Sequence, residues 1–374
     1  MNQTQVSTGF PQQGKAYVEP SRGGNALQFA SVLILSQLFS AATLANHSFS
    51  PYLALIADIS QVLAGGVQRK DSHRMLLDIG AEYQHQQHLL FVNYQLQRGP
   101  NGSDNVGDIQ AYSNIDEDNF NRIYQFYYQY QGDDWFARVG QTDANAEFAV
   151  AEPAANFINS SMGFSPTIMA FPTYPLPAQS ISAGITVTDR LDLSAGLFAS
   201  RRHDDFAEQF YVAELRYALS ATHQLKFGLW HDTNTYQHLE DTSKTSGSTG
   251  YYLIVQGQQH SINWLDSQQL SWYTQLGKAD ADVSEIEWHI GSGFELQHPF
   301  AQPQHALGLG ISYVRLSQYI DSDSGHETAL ESYYLWPLSE NLALKPDLQY
   351  ILSPSGSEQL DNAWVFTLRL EINF

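Results

Sequence analysis

Cysteine is absent from the 374 residues. Neither a disulfide scaffold nor a thiolate-ligated metal centre can therefore be built. Basic residues are scarce: 18 Lys plus Arg face 39 Asp plus Glu, a formal charge of −21. Nucleic-acid binding needs a basic stripe that such a chain does not have, so nucleic acid is excluded as a partner. Long apolar runs are also lacking. The one candidate, Phe29 to Ala45 (FASVLILSQLFSAATLA), is interrupted by Ser36, Gln37 and Ser40 and falls short of the about 20 apolar residues of a spanning helix. Neither a Gly-x-Ser-x-Gly elbow nor a phosphate-binding loop occurs. What is plentiful is aromatic: 21 Tyr, 20 Phe and 7 Trp. That content is too high for a disordered chain.

The apolar run from Phe29 to Ala45 reads as a cleaved export signal. Lys15 and Arg22 precede it, and Thr43-Leu44-Ala45 places small residues where a signal peptidase cuts. Residues 1–45 are then a leader and 46–374 the mature chain. Losing Lys15, Arg22 and Glu19 removes a net +1, which leaves −22 on 374 − 45 = 329 residues. An exported chain with no cysteine and no second apolar span points to the bacterial envelope.

From residue 53 onward the pattern has period two. In Ala363 to Phe374, one face is Trp364, Phe366, Leu368, Leu370, Ile372 and Phe374. The other is Ala363, Val365, Thr367, Arg369, Glu371 and Asn373. Twelve alternating residues exceed the about 5–6 of an ordinary strand and suit a tilted strand crossing a bilayer. The pattern recurs in Leu342 to Leu352, in Leu90 to Leu96 and in Leu225, Phe227 and Leu229 around Lys226 and Gly228. It also recurs in Tyr124, Phe126, Tyr128 and Tyr130. Aromatics near strand ends suit a lipid–water boundary.

Sixteen strands are predicted, centred near residues 59, 78, 92, 126, 137, 184, 195, 214, 227, 253, 272, 290, 311, 331, 346 and 368. Connectors near 84–87, 132–133, 189–190, 221–222 and 337–340 are short, and those at 98–121, 142–179, 200–209, 233–248 and 353–361 are long. That alternation is the pattern of a transmembrane antiparallel β-barrel with short periplasmic turns. The connectors 258–267 and 298–303 fit it less well. Thr142 to Gln179, between strands 5 and 6, carries eight large apolar side chains, among them Phe148, Phe157, Met162 and Phe171. Left in water, each would forgo about 1.5–3 kcal/mol of burial. The loop is therefore expected to fold into the lumen, bringing Asp143 and Glu147 opposite wall residues such as Arg138 and Arg369.

The polar motifs point to no metal or cofactor. His85 and His88 sit three apart near a strand turn and cannot aim both rings at one ion. The run Asp321-Ser322-Asp323-Ser324-Gly325-His326-Glu327 places its glycine one position early for a calcium loop and reads as a hairpin loop. Acidic pairs are frequent, but a glycosidase pair is defined by separation in space, which the sequence does not supply.

Several separated motifs resemble the carbohydrate-selective porins of the OprB type, from about Gly80 to Phe374. They are Val106-Gly107-Asp108-Ile109-Gln110 with Ser113-Asn114, and Arg138-Val139-Gly140-Gln141-Thr142-Asp143 leading to Glu147-Phe148-Ala149. Next come Phe157-Ile158-Asn159-Ser160-Ser161 with Gly163, Glu331-Ser332-Tyr333-Tyr334, and Pro346-Asp347-Leu348-Gln349-Tyr350-Ile351 with Pro354. The last is the terminal Leu368-Arg369-Leu370-Glu371-Ile372-Asn373-Phe374. Gln141 stands where many relatives carry Lys, which makes the lumen less basic. The resemblance implies a sixteen-stranded barrel in the outer membrane of a Gram-negative bacterium, passing glucose and other small sugars passively, without enzymatic activity. Its implied partners are small saccharides, outer-membrane lipid and lipopolysaccharide, and the barrel-assembly machinery, with Phe374 as the assembly signal. Monomer and homotrimer both remain open.

A sugar channel needs bidentate side chains along its track. Those on the inward phase are Arg138, Glu214, Arg216, Glu331, Lys345, Asp347, Arg369 and Glu371, joined on the long loop by Asp143, Glu147, Asn156 and Asn159. The alternatives are a general or cation-preferring diffusion porin, suggested by the −22 charge, an outer-membrane barrel enzyme, and a soluble exported sugar-binding β-protein.

Overall fold

The computed structural model describes residues 47–200, 206–241, 243–262 and 265–374. The predicted leader, residues 1–45, lies outside the described residues. Sixteen antiparallel strands form one closed barrel in which each strand pairs with its sequence neighbours and the first pairs with the last. They are β1 (His47–Ala64), β2 (Asp71–His85), β3 (His88–Arg98), β4 (Phe120–Gln131), β5 (Trp135–Thr142), β6 (Ala178–Thr188), β7 (Leu191–Ala199) and β8 (Gln209–Ala218). They continue as β9 (His223–Gln237), β10 (Lys244–Ile262), β11 (Leu265–Lys278), β12 (Ile286–Gln297), β13 (Ala306–Leu316), β14 (His326–Ser339), β15 (Leu342–Leu352) and β16 (Ala363–Asn373). Each predicted centre falls inside the corresponding strand.

Boundaries differ from expectation where strands are longer than expected. β9 and β10 extend to Gln237 and from Lys244, which shrinks the expected 233–248 loop. The expected 258–267 gap is mostly strand, since β10 reaches Ile262 and β11 starts at Leu265. The 298–305 connector stays long for its side and is built on a one-turn 3-10 helix at Pro299–Ala301. The other difference is a phase error in β4. A bulge opposite Asn93 and Tyr94 turns Tyr124 inward, so it is 2% exposed while Phe126 is 58% exposed. Strict alternation had put the two on one face, and a bulge is what breaks period two.

In the other segments whose faces the sequence assigns, the phase holds. On β16, Trp364 and Phe366 are exposed while Val365, Thr367, Arg369 and Glu371 are buried. Ile59, Val92, Ile123, Val139, Ile181 and Ile185 continue the exposed apolar band around the barrel. Closure leaves no unpaired strand edge within the band, as a lipid-facing sheet requires. The seam runs from Ala54 opposite Asn373 to Ala64 opposite Trp364, with one register shift after Val62. Phe374 adds its last two bonds, accepting from Leu53 N at 3.0 Å and donating to Leu53 O at 2.8 Å. Deleting Phe374, or changing it to Asp, should strongly lower the amount of barrel recovered in the outer membrane, because two seam bonds go or a charge meets lipid. Wild-type yield of the deletion variant in isolated outer membranes would contradict this.

The main core lies inside the barrel. The long connector, residues 143–177, carries Phe148, Phe157, Met162 and Phe171 into the interior. There they pack with wall residues Phe198, Phe210, Trp230, Tyr252, Tyr273 and Tyr333. The wall can accept them because several inward positions are glycine. The Tyr252 ring lies over Gly228 and the Tyr333 ring over Gly308, each where a Cβ would clash. A ring laid flat over a cross-strand glycine fills the wall without reaching far into the lumen.

Candidate functional site

The long loop is tied to the wall by main-chain amides and wall carboxylates. Glu331 on β14 accepts Ile158 N at 2.5 Å and Asn159 N at 3.0 Å. Glu214 on β8 accepts Ala149 N at 2.9 Å and Tyr252 OH at 2.7 Å. In the other direction Gln275 on β11 donates to Ser161 O and Met162 O, both at 2.9 Å. A connector that leaves β5 and reaches β8, β11 and β14 must cross the lumen. A second connector, residues 99–119, enters from the same end of the barrel, where Glu327 on β14 accepts Ile109 N at 2.9 Å and Gln110 N at 3.1 Å. Carboxylates holding pairs of N–H groups are charge-assisted bonds, among the stronger ones available. They answer a need created by the loop itself, whose irregular main chain would otherwise bury unpaired donors.

The predicted residues separate into three settings. On the β4–β6 side, Arg138 donates to Gln129 Oε1 at 2.7 and 2.9 Å and meets Glu147 Oε2 at 3.3 Å. Its guanidinium lies over the Tyr127 ring, 4.6 Å from the centroid. Glu147 also accepts Ser182 Oγ at 2.9 Å. Burial pushes the Glu147 carboxyl above its ordinary range, and Arg138 pulls the other way. Asp143 caps the turn at Ala144–Ala146 through Asn145 N at 2.8 Å and accepts Tyr124 OH at 2.6 Å. Its carboxyl is likewise raised, chiefly by burial. Asp143 therefore does not face Arg138 or Arg369 as expected. The bulge that turned Tyr124 inward supplied its partner.

Glu214 and Arg216 pair with each other at 2.5 Å, and Arg216 also donates to the Glu147 carbonyl. Asn156 donates to Glu295 on β12 at 2.5 Å. Asn159 caps the helical turn Ser160–Gly163 through Ser161 N and donates to Gln349 at 3.2 Å. The third group lies on β14 to β16 and β1. Lys345 meets Glu371 at 2.7 Å, and Asp347 accepts Gln349 Nε2 at 3.0 Å. Arg369 forks onto Asp58 at 2.7 and 2.9 Å and donates to Asn114 Oδ1 at 2.9 Å. Lys345 and Arg369 are both 0% exposed. This third group is committed to wall and loop contacts.

Reading the sequence missed Asp58, Arg74, Lys226, Glu295 and Glu327. Arg74 pairs with Asp116 at 2.7 Å, and Lys226 donates to Val150 O at 2.8 Å and pairs with Glu152. Asp58 and Lys226 were findable, since each is a charged residue on the inward phase of an alternating strand. Glu327 closes a run that reads in sequence as a hairpin loop, yet it is the second residue of β14. Among the described residues no group of three metal-ligating side chains occurs.

A closed sixteen-stranded barrel, apolar outside and carrying a folded loop across a charged lumen, defines an outer-membrane porin. The family model described as "Carbohydrate-selective porin, OprB family" matches residues 86–374, and the chain belongs to that family. Porin B of Pseudomonas aeruginosa is 27% identical over 154 residues. That match covers 35% of this chain and 34% of Porin B, so the chain spans about a third of the length of this curated relative. The high-pH structure of Pseudomonas putida OprB superposes with a TM-score of 0.79 at 16% identity, covering 87% of this chain and 94% of that one. OmpF of Salmonella typhi, solved with daunomycin, gives 0.60 at 10% identity, covering 88% and 98%. The family and its structural neighbours are outer-membrane channels.

Proposed function

We propose that the barrel passes small neutral saccharides by diffusion through the space left between the long loop and the wall. The observation that carries this reading is the loop itself, held across the lumen by Glu214, Gln275 and Glu331. A loop fixed from several walls narrows the path to a set width, and width is what separates small solutes from large ones. The polar groups at its edge can replace part of a sugar's hydration shell. Arg216 and Asn156, which keep partial exposure, are the wall and loop groups proposed to meet solute. Arg138, Asp143, Glu147, Asn159, Glu214, Glu331, Lys345, Asp347, Arg369 and Glu371 are proposed to hold the loops and wall in shape. Glucose added to an open channel in a planar bilayer should reduce and broaden the ion current in a concentration-dependent way. A current indifferent to glucose, with no glucose flux, would remove the reading.

The lumen should also be weakly cation-preferring. Arg74, Arg138, Arg216, Lys226, Lys345 and Arg369 all have carboxylate partners. Asp78 instead accepts Tyr52, Asn93 and Gln95, and Glu295 accepts Tyr333 OH at 2.6 Å, so these charges are not cancelled by a neighbouring cation. Fixed surplus charge in a narrow path enriches counter-ions. Reversal potentials under a salt gradient should show cation preference, and a clear anion preference would contradict the charge assignment.

A further inference from the structure

Outside the long loop, on the side of the longer connectors, lies a cavity of about 880 Å³. Its floor is the loop's own limb, which contributes Phe164, Pro166, Ile168 and Met169. That limb is therefore not wholly spent on the barrel core: Phe164, Pro166 and Met169 keep partial exposure. Tyr236 from the end of β9 and Ile286 from the start of β12 also line it. Charged groups sit at the margin. Glu117, Glu285 and Lys244 line the cavity. Asp116 also lines it, but Arg74 already neutralises it at 2.7 Å.

A cavity of this size, which sets an apolar limb among many polar groups, has room for a small molecule with both an apolar and a polar part. Free glucose can use the polar groups of the lining but leaves the apolar limb uncovered. A glycoside with an aromatic substituent is well matched. Its ring can lie on the apolar limb while its sugar hydroxyls donate to the acidic margin. An anionic substituent would meet the carboxylates instead.

We propose that this outer cavity is an entry subsite for neutral aryl glycosides, which it retains ahead of the constriction. The proposal rests on the reading of the barrel as a sugar channel. The experiment is current block in planar bilayers containing oriented channels, with phenyl β-D-glucoside, phenyl β-D-glucuronide and glucose as probes. Phenyl glucoside added from the loop side should block at about ten-fold lower concentration than glucose, as burial of one aromatic ring would give. Phenyl glucuronide should not share the gain. Met169→Ser and Phe164→Ser should each bring the phenyl glucoside value toward that of glucose, the internal reference. Glu285→Lys should admit the glucuronide. Equal block by phenyl glucoside and glucose in the wild-type channel would overturn the proposal, whether or not the variants assemble. So would a preference untouched by every variant that assembles. If glucose neither blocks nor permeates, the sugar-channel reading fails first, and that outcome is read separately.

Discussion

Excising the loop between Pro153 and Pro175 should raise single-channel conductance several-fold and erase discrimination between monosaccharides and larger sugars. The segment carries Phe157, Met162 and Phe171, which pack on the wall at 0–1% exposure. It also carries Ile158 and Asn159, whose amides Glu331 holds. Removing it opens the lumen where the connector crosses. The barrel itself should persist, because β5 and β6 remain paired from Trp135 opposite Ile185 to Thr142 opposite Ala178. A milder variant tests the same point without shortening the chain. Glu331→Ala removes both acceptors and leaves two buried amides unpaired, at about 1–3 kcal/mol each. Its channels should flicker between conductance levels. An excised barrel that assembles but conducts and discriminates like the wild type would show that the constriction lies among wall residues.

Asp58→Ala should be the most destabilising single wall substitution. Arg369 and Asp58 face each other across the seam between β1 and β16, both with side chains 0% exposed. Asp58 also accepts Ser113 Oγ at 2.8 Å, so the pair anchors the 99–119 connector as well. Removing the carboxylate leaves a buried guanidinium without its charge partner, which costs about 3–5 kcal/mol. The temperature at which the folded gel band converts to the unfolded one should drop clearly. Adding Arg369→Met should restore much of it, since a pair replaced by apolar groups is far less costly than a pair broken. An unchanged conversion temperature for Asp58→Ala would mean that water solvates Arg369 in the lumen.

The strands were legible because lipid outside and polar lumen inside impose period two on every one of them. The inward course of the 143–177 loop was legible for a different reason. Phe148, Phe157, Met162 and Phe171 could not all stay in water on a connector. What could not be read was which inward residues would meet. Alternation reports the side of the sheet a residue faces, while its height in the barrel follows from strand tilt and stagger. Glu147 reaches Arg138 as expected because they are close in sequence. Arg369 finds Asp58, 311 residues away, through closure of the seam. Asp143 finds Tyr124 through a bulge that leaves no mark in the hydrophobic pattern. The use of Glu214, Glu327 and Glu331 as holders of main-chain amides was equally hidden, because an acceptor for backbone N–H looks in sequence like any other acidic residue.

The measurement that bears most directly on the central claim is liposome swelling with the purified channel and a graded panel: glucose, a disaccharide, a trisaccharide and neutral amino acids of matched size. A path set by the loop between polar edges predicts fast entry of glucose, a steep fall with each added sugar ring, and slower entry of amino acids than of sugars of equal size. Rates that follow molecular size alone, with sugars and amino acids on one curve, would contradict a saccharide-adapted constriction and leave a general diffusion pore.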